Sequence, residues 1–225
     1  MTGVVKNMKP SGRPSLVQLP GRGQWSADVE TTVDQGAGMP CSDRAAQMHA
    51  LDAAITHWER ELRIATNSTD ILPVCETARG VVEVCSIAAS SPRIRCALLG
   101  AEDLSNDLCA ERGIDAVELD YARRRFILEA RAAGIEPIDA PYTFSDVEGA
   151  VREAAFSRRL GYRSKSLVRP AHAVALNAVF TPSADELARA SAIVEGFDAA
   201  RKRGEDRAQI DGLWIEVPTY RNGAD

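Results

Sequence analysis

Two rhythms alternate along this chain. Short, near-continuous apolar runs begin at Leu72, Ile94, Ile135 and Ser166. Runs of that kind suit strands of a parallel sheet, buried on both faces. Between them, apolar residues recur at three and four, the spacing of one helix face. Met48, Leu51, Ile55, Trp58 and Leu62 form one such stripe, and Val81, Val82, Val84, Cys85, Ile87 and Ala88 fill a helix-length segment closed by Ser91-Pro92. Leu119, Ala122, Phe126, Ala130 and Ala133 predict a helix over 116–133, with Arg123, Arg124, Arg125 and Arg131 on its other faces and Gly134 as its stop. Val147, Val151, Ala154 and Ala155 predict the inward side of the next helix, with Asp146 as its cap. Ser183 and Glu186 form an S-x-x-E capping box, followed by Leu187, Ala190, Ile193 and Phe197 on one face.

Strand, helix, strand, helix is the grammar of a parallel α/β fold whose strand C-termini share one face. The stretch 72–107 states it most clearly, because both of its strands end in carboxylates. Leu72, Pro73, Val74 and Cys75 lead into Glu76; Ile94, Cys96, Ala97, Leu98 and Leu99 lead into Glu102 and Asp103. Glu76 and Asp103 therefore fall side by side at the end where barrel enzymes do their chemistry. Both also suit the plainer task of capping the helix that follows.

The ends read differently. Gly, Pro and Ser recur through residues 1–28, where only 15–19 hints at a strand, and the segment reads as loop. A short helix is expected over 27–35, then a stunted strand at Met39-Pro40-Cys41. The division expected is a poorly structured 1–28, a (β/α) barrel domain over 29–205 and a C-terminal arm over 206–225.

Composition narrows the class. At 225 residues the chain is slightly short of the roughly 250 typical of an eight-stranded barrel. A net charge of −5 supplies no basic stripe for phosphates, which speaks against nucleic acid as a partner. No run approaches the roughly 20 apolar residues of a membrane span, and no apolar h-region follows Lys6 and Lys9. Cys41, Cys75, Cys85, Cys96 and Cys109 show no C-x-x-C spacing, so buried free thiols in a reducing cytoplasm are expected. His49 and His57 lie off their helix's apolar stripe and read as solvent-facing.

The sequence ETARGV, an apolar strand and GAEDLSND together resemble the citrate lyase beta-subunit-like family of the HpcH/HpaI aldolases. The likeness spans roughly 25–220. It implies a TIM (β/α)8-type barrel, here incomplete on its N-terminal side, with a Mg²⁺ ion held by Glu76 and Asp103. IEPIDAPY and the following DVEG also match, which assigns Asp139 to the substrate. In SKSLVRPAH, Lys165 and Pro170 match the family pattern, and Lys165 is likewise assigned to the substrate. Ser164, Arg169 and His172 replace the family's Gly, His and Gln, leaving Arg169 free to bind a carboxylate catalytically. In the tail, Glu216 before Val217-Pro218 stands where the family's arm brings an acid to a neighbouring subunit. The resemblance thus implies a homo-oligomer, trimeric or hexameric, that cleaves a 3-hydroxy acyl thioester of citryl, malyl or citramalyl type. An acyl-CoA or acyl-carrier thioester would be the substrate, yielding an acyl thioester and a 2-oxo acid. The alternative is a non-catalytic, truncated homologue serving as an oligomerisation or interaction module, or a decayed gene product, since the family's early strands and substrate arginine have no counterpart here.

Overall fold

The computed structural model describes residues 3–6, 43–210 and 212–216. Four parallel strands form the sheet: β2 (Val74–Cys75), β3 (Cys96–Leu99), β4 (Glu136–Tyr142) and β5 (Ser164–Leu167). They are the four strands expected from the apolar runs. They lie in sequence order, each hydrogen-bonded to the next. Order without reversal keeps successive crossovers on one face, as in a barrel wall, whereas a doubly wound sheet switches sides. β1 (Gly3–Lys6) adds an antiparallel strand along β5. The sequence reads as loop there. Its four residues are too few to declare an alternation, and their pairing comes from an edge distant in sequence. The segments at 15–19, 27–35 and 39–41 lie outside the described residues.

The crossovers are α1 (Ala45–Glu61) before β2, α2 (Ala78–Val82) and α3 (Val84–Ala89) after it, and α4 (Glu102–Asp107) after β3. Next come α5 (Asp120–Ala132), α6 (Val147–Leu160) after β4 and α7 (Ala173–Phe180) after β5. The main core joins Cys75 and Leu99 of the sheet to Met48, Val84, Ile87, Leu119, Ala122, Phe126 and Ala130 of the helices. The stripe expected on α5 is thus buried, although the helix proper starts only at Asp120, after a single 3₁₀ turn.

Alternation along the strands assigns their faces. Val74, Leu98 and Ile138 are register partners in one row across three strands. Cys75 and Leu99, one residue on, belong to the helix-side core, so the row of Val74 faces the other way, into the barrel. Between Asp139 and Tyr142 the register with β5 slips: three residues of β4 pass while β5 advances by two, from Lys165 to Leu167. This extra residue is a β-bulge, which re-aims the side chains beyond it.

The described residues up to Phe180 form one compact unit and those from Thr181 a second. The second unit contains α8 (Ala184–Lys202) and the hairpin β6 (Ala208–Ile210) and β7 (Leu213–Ile215), with Phe197, Ala200, Ala208 and Ile215 at its centre. Helix α8 thereby groups with the tail, not with the barrel domain expected over 29–205. Its capping box is present: Ser183 Oγ accepts from Glu186 N–H at 3.2 Å, and Glu186 Oε2 accepts from Ser183 N–H at 2.8 Å. Leu187 is an exception to the expected stripe, at 56% exposure.

Candidate active site at the strand C-termini

Glu76 is the residue immediately after β2, in phase with Val74 and so on the barrel side, and it is 9% exposed. It does not cap α2. Thr77 does, its Oγ1 accepting from Gly80 N–H at 3.0 Å, and Asp107 Oδ2 accepts from Ala78 N–H at 2.7 Å. The capping of α2 is thus done by residues other than the buried carboxylate at 76. Gly100, just past β3, donates its N–H to Cys75 O at 2.9 Å and so lies level with Glu76. A Cβ built on Gly100 would stand 2.5 Å from Glu76 Cβ and 3.2 Å from its Cα. Gly100 is not in the left-handed region, so its backbone conformation makes no demand for glycine. The space it leaves is occupied by Glu76.

Asp103 is exposed in the first turn of α4, beside Glu102. The N-cap there is Ala101, with no side-chain cap, so Asp103 is not spent on capping either. Among the described residues no three His, Cys, Asp or Glu gather as a metal-holding set. Two carboxylates on adjacent strand ends are nevertheless what Mg²⁺ uses, since it keeps several waters and prefers few protein oxygens. A buried carboxylate after one strand and an exposed carboxylate in the helix turn after the next fit that ion.

Asp139 and Lys165 lie elsewhere. Both are fully buried and face the helices, opposite each other across β4 and β5. Lys165 Nζ donates to Asp139 Oδ2 at 2.6 Å and to Ala140 O at 2.5 Å, and it stands 2.6 Å from Glu153 Oε1. Arg123 Nε donates to Asp139 Oδ1 at 3.1 Å, its Nη2 is 2.9 Å from Glu153 Oε1, and Ser157 Oγ donates to Asp139 Oδ2 at 2.5 Å. Burial works to raise the Asp139 pKa, but the charges of Lys165 and Arg123 and the hydrogen bonds outweigh it and hold the carboxyl below its usual range. A substrate would reach this pair only by breaking a closed four-charge network. The geometry gives them structural work beneath the strand ends, in place of the substrate contact expected of them.

That network also revises the helix readings. Arg123 is 1% exposed, not on a solvated face, and the buried stripe of α6 is Ala150, Glu153, Ala154 and Ser157, while Val147 is 43% exposed. Asp146 caps α6 as expected, accepting from Gly149 N–H at 2.6 Å.

Arg169 is exposed after β5 and its Nε donates to Thr143 O at 3.4 Å. It therefore shares the C-terminal end of the sheet with Glu76, Asp103 and Thr143. His172 is 1% exposed, with Nε2 3.2 Å from Ser145 O. Glu216 is exposed at the end of β7 in the second unit. The sequence reading missed Arg112, Thr143 and Phe144 at this end. Arg112 sits in CAERGID, a stretch without periodicity, and Thr143 owes its direction to the bulge. No local pattern marks either.

The family model for HpcH/HpaI aldolase/citrate lyase matches residues 21–170, and the chain belongs to that family. The citrate lyase subunit beta of Leuconostoc mesenteroides subsp. cremoris is 32% identical over 198 residues, covering 86% of this chain and 66% of that protein. The chain thus spans just under two thirds of that relative's length. An L-malyl-CoA/beta-methylmalyl-CoA lyase of Cereibacter sphaeroides is 29% identical over 221 residues, covering 88% of this chain and 69% of the relative. Among solved structures, the CitE protein of Mycobacterium tuberculosis in complex with magnesium, acetoacetate and coenzyme A matches with a TM-score of 0.62 at 26% identity. That match covers 83% of this chain and 64% of that one. Fold and family agree with the barrel wall described above.

Proposed function

We propose that the protein is a magnesium-dependent carbon–carbon lyase. It would cleave a 3-hydroxy acyl thioester of the coenzyme A or acyl-carrier type into an acyl thioester and a 2-oxo acid. The observation that carries this is the pairing of Glu76 with Gly100: a buried carboxylate at a strand end, relieved of capping and given room by a glycine the backbone does not need. The relatives support the class, being named citrate lyase beta subunits and malyl-CoA lyases, and the Mycobacterium tuberculosis structure holds magnesium and coenzyme A.

Glu76 and Asp103 would hold the ion. When bound it supplies positive charge to the oxygens of the substrate and of the developing 2-oxo acid. Arg169 orients the substrate's free carboxylate from the end of β5. Loss of the hydroxyl proton to water lets that oxygen's electron pair close to a carbonyl, and the adjacent carbon–carbon bond breaks. The bonding pair passes to the thioester's α-carbon as an enolate, which takes up one proton. Glu216, delivered by a neighbouring subunit of a homo-oligomer, is the acid assigned to that step. Asp139, Lys165, Arg123 and Glu153 hold β4 and β5 against α5 and α6 beneath the site.

Titration calorimetry with Mn²⁺ and Mg²⁺ tests the core of this reading. Wild type should bind one ion and Asp103→Ala should bind it at least tenfold more weakly; equal affinities would remove Asp103 from the site. Turnover on a panel of citryl, malyl and citramalyl thioesters then defines the acyl group. Glu216→Gln mixed with Asp103→Ala subunits should recover part of the activity, and no recovery would keep the acid on its own subunit or outside the chemistry.

A further inference from the structure

Glu102 stands beside Asp103 in the first turn of α4, but its carboxylate is already engaged. Its Oε1 accepts from Thr143 Oγ1 at 2.5 Å and from Arg112 Nε at 3.2 Å. Arg112 lies over the Phe144 ring, 5.3 Å from its centroid, while its Nη1 donates to Glu118 Oε1 at 2.8 Å. Two consecutive residues leaving β4, Thr143 and Phe144, are therefore each gripped by the connection between β3 and α5. The two grips differ in kind, one a hydrogen bond and one a cation over a ring. Thr143 can turn to Glu102 because of the bulge. Strict alternation from Asp139 would place residue 143 on the helix side, whereas the extra residue makes Tyr142 the one that faces the helices. The backbone of Thr143 then meets Arg169, so the ends of β3, β4 and β5 are tied in series.

We infer that Glu102 is a positioning residue, a strap that fixes the first turn of α4 to the end of β4 and so fixes where Asp103 presents its carboxylate. The inference rests on the assignment of Glu76 and Asp103 to the metal. Removing partners that orient a ligand from behind typically costs about 10–100-fold in metal affinity. The rival is an ordinary surface pair between Glu102 and Arg112, which contributes little and acts through charge. The strap acts through an oxygen that can accept from Thr143. The two are separable, because glutamine keeps the acceptor and drops the charge.

Mn²⁺ affinity of the full chain, measured by titration and by the electron paramagnetic resonance of the bound ion, is the readout, with apo melting alongside. Glu102→Ala and Thr143→Val should each weaken Mn²⁺ binding about tenfold, and the double variant should lose no more than either. Glu102→Gln and Thr143→Ser should stay within about twofold of wild type. Apo melting midpoints should move by no more than about 2 °C, as for an exposed hydrogen bond. Unchanged Mn²⁺ affinity in Glu102→Ala or Thr143→Val overturns the strap and leaves the metal site standing. Equal losses in Glu102→Ala and Glu102→Gln overturn it in favour of charge. If wild type binds no Mn²⁺, or Asp103→Ala binds it as tightly as wild type, the metal assignment falls and the strap falls with it.

Discussion

Gly100 shows how much one absent atom can decide. Its Cβ would meet Glu76 Cβ at 2.5 Å and the Glu76 backbone at 3.2 Å, and neither contact can be relieved by a rotamer change. The N–H of Gly100 also holds Cys75 O, so neither strand end can simply drift away. Gly100→Ala should therefore cost about 1–3 kcal/mol, the usual range for overpacking, with the urea midpoint lowered. A wild-type midpoint would mean that the strand ends are more yielding than the geometry indicates. The same variant should lose Mn²⁺ affinity, because any displacement starts at Glu76. The thiols make a second contrast. Burial pushes the Cys75 thiol up to about 12, while Cys109 is exposed. A thiolate reagent at neutral pH should modify Cys109 in the native protein and reach Cys75 only on unfolding.

Among the elements, β4, β5, α5 and α6 are joined by the network of Asp139, Lys165, Arg123 and Glu153. Removing one member of a buried ion set leaves its partner charged and alone, at a cost of about 3–5 kcal/mol, while removing a balanced pair costs less. Lys165→Met should lie in the first range, and Lys165→Met combined with Asp139→Leu should recover much of that loss, because Arg123 and Glu153 still pair. A double variant less stable than Lys165→Met would make Asp139 important for something other than charge balance. The same elements mark how far the sequence could be read. The four strands were legible from their apolar runs, the stripe of α5 from Leu119 to Ala130, and the cap of α8 from Ser183 and Glu186. The buried side of α6 was not. It carries Glu153 and Ser157, and rules that seek apolar spacing assign such residues to solvent. What buries them is Lys165 and Asp139 on strands distant in sequence. Of the candidate site, the two carboxylates were visible because each follows a strand. The employment of Asp139 and Lys165, and the roles of Thr143 and Arg112, depend on which face a residue takes after a bulge no motif announces.

At the scale of the molecule, α1 is fastened to the first unit by one buried bidentate pair. Arg93 Nη1 donates to Glu59 Oε1 at 2.8 Å and Nη2 to Oε2 at 2.7 Å, and Nε donates to Asp52 at 2.5 Å. Glu59 also accepts from the backbone N–H groups of Asn67 and Thr69 at 2.9 and 3.0 Å, tying in the turn before β2. Arg93 first, against the opposing effect of burial and with help from those N–H groups, brings the Glu59 pKa from 4.5 down to about 2. A carboxyl depressed on folding stabilises fully above its unfolded value, and that contribution drains away as pH falls from about 4.5 toward about 2. Glu59→Gln should lower stability at pH 7 and leave the remaining protein less sensitive to acid in that window, as read from urea midpoints at pH 7 and pH 3. A variant with wild-type acid sensitivity would shift that role to other carboxylates.

The extra residue in β4 makes the mouth of the barrel a matter of counting. Between Asp139 and Tyr142 this strand carries one residue more than its partner. Pairing the five positions from Asp139 to Thr143 without the bulge would exchange the faces of Tyr142 and Thr143, sending a hydroxyl into the helices and a ring into the opening. In any lineage descended from this chain, the bulged pairing of that stretch and the acid at 102 should be inherited together, since a regular pairing of the same residues turns Thr143 away from Glu102.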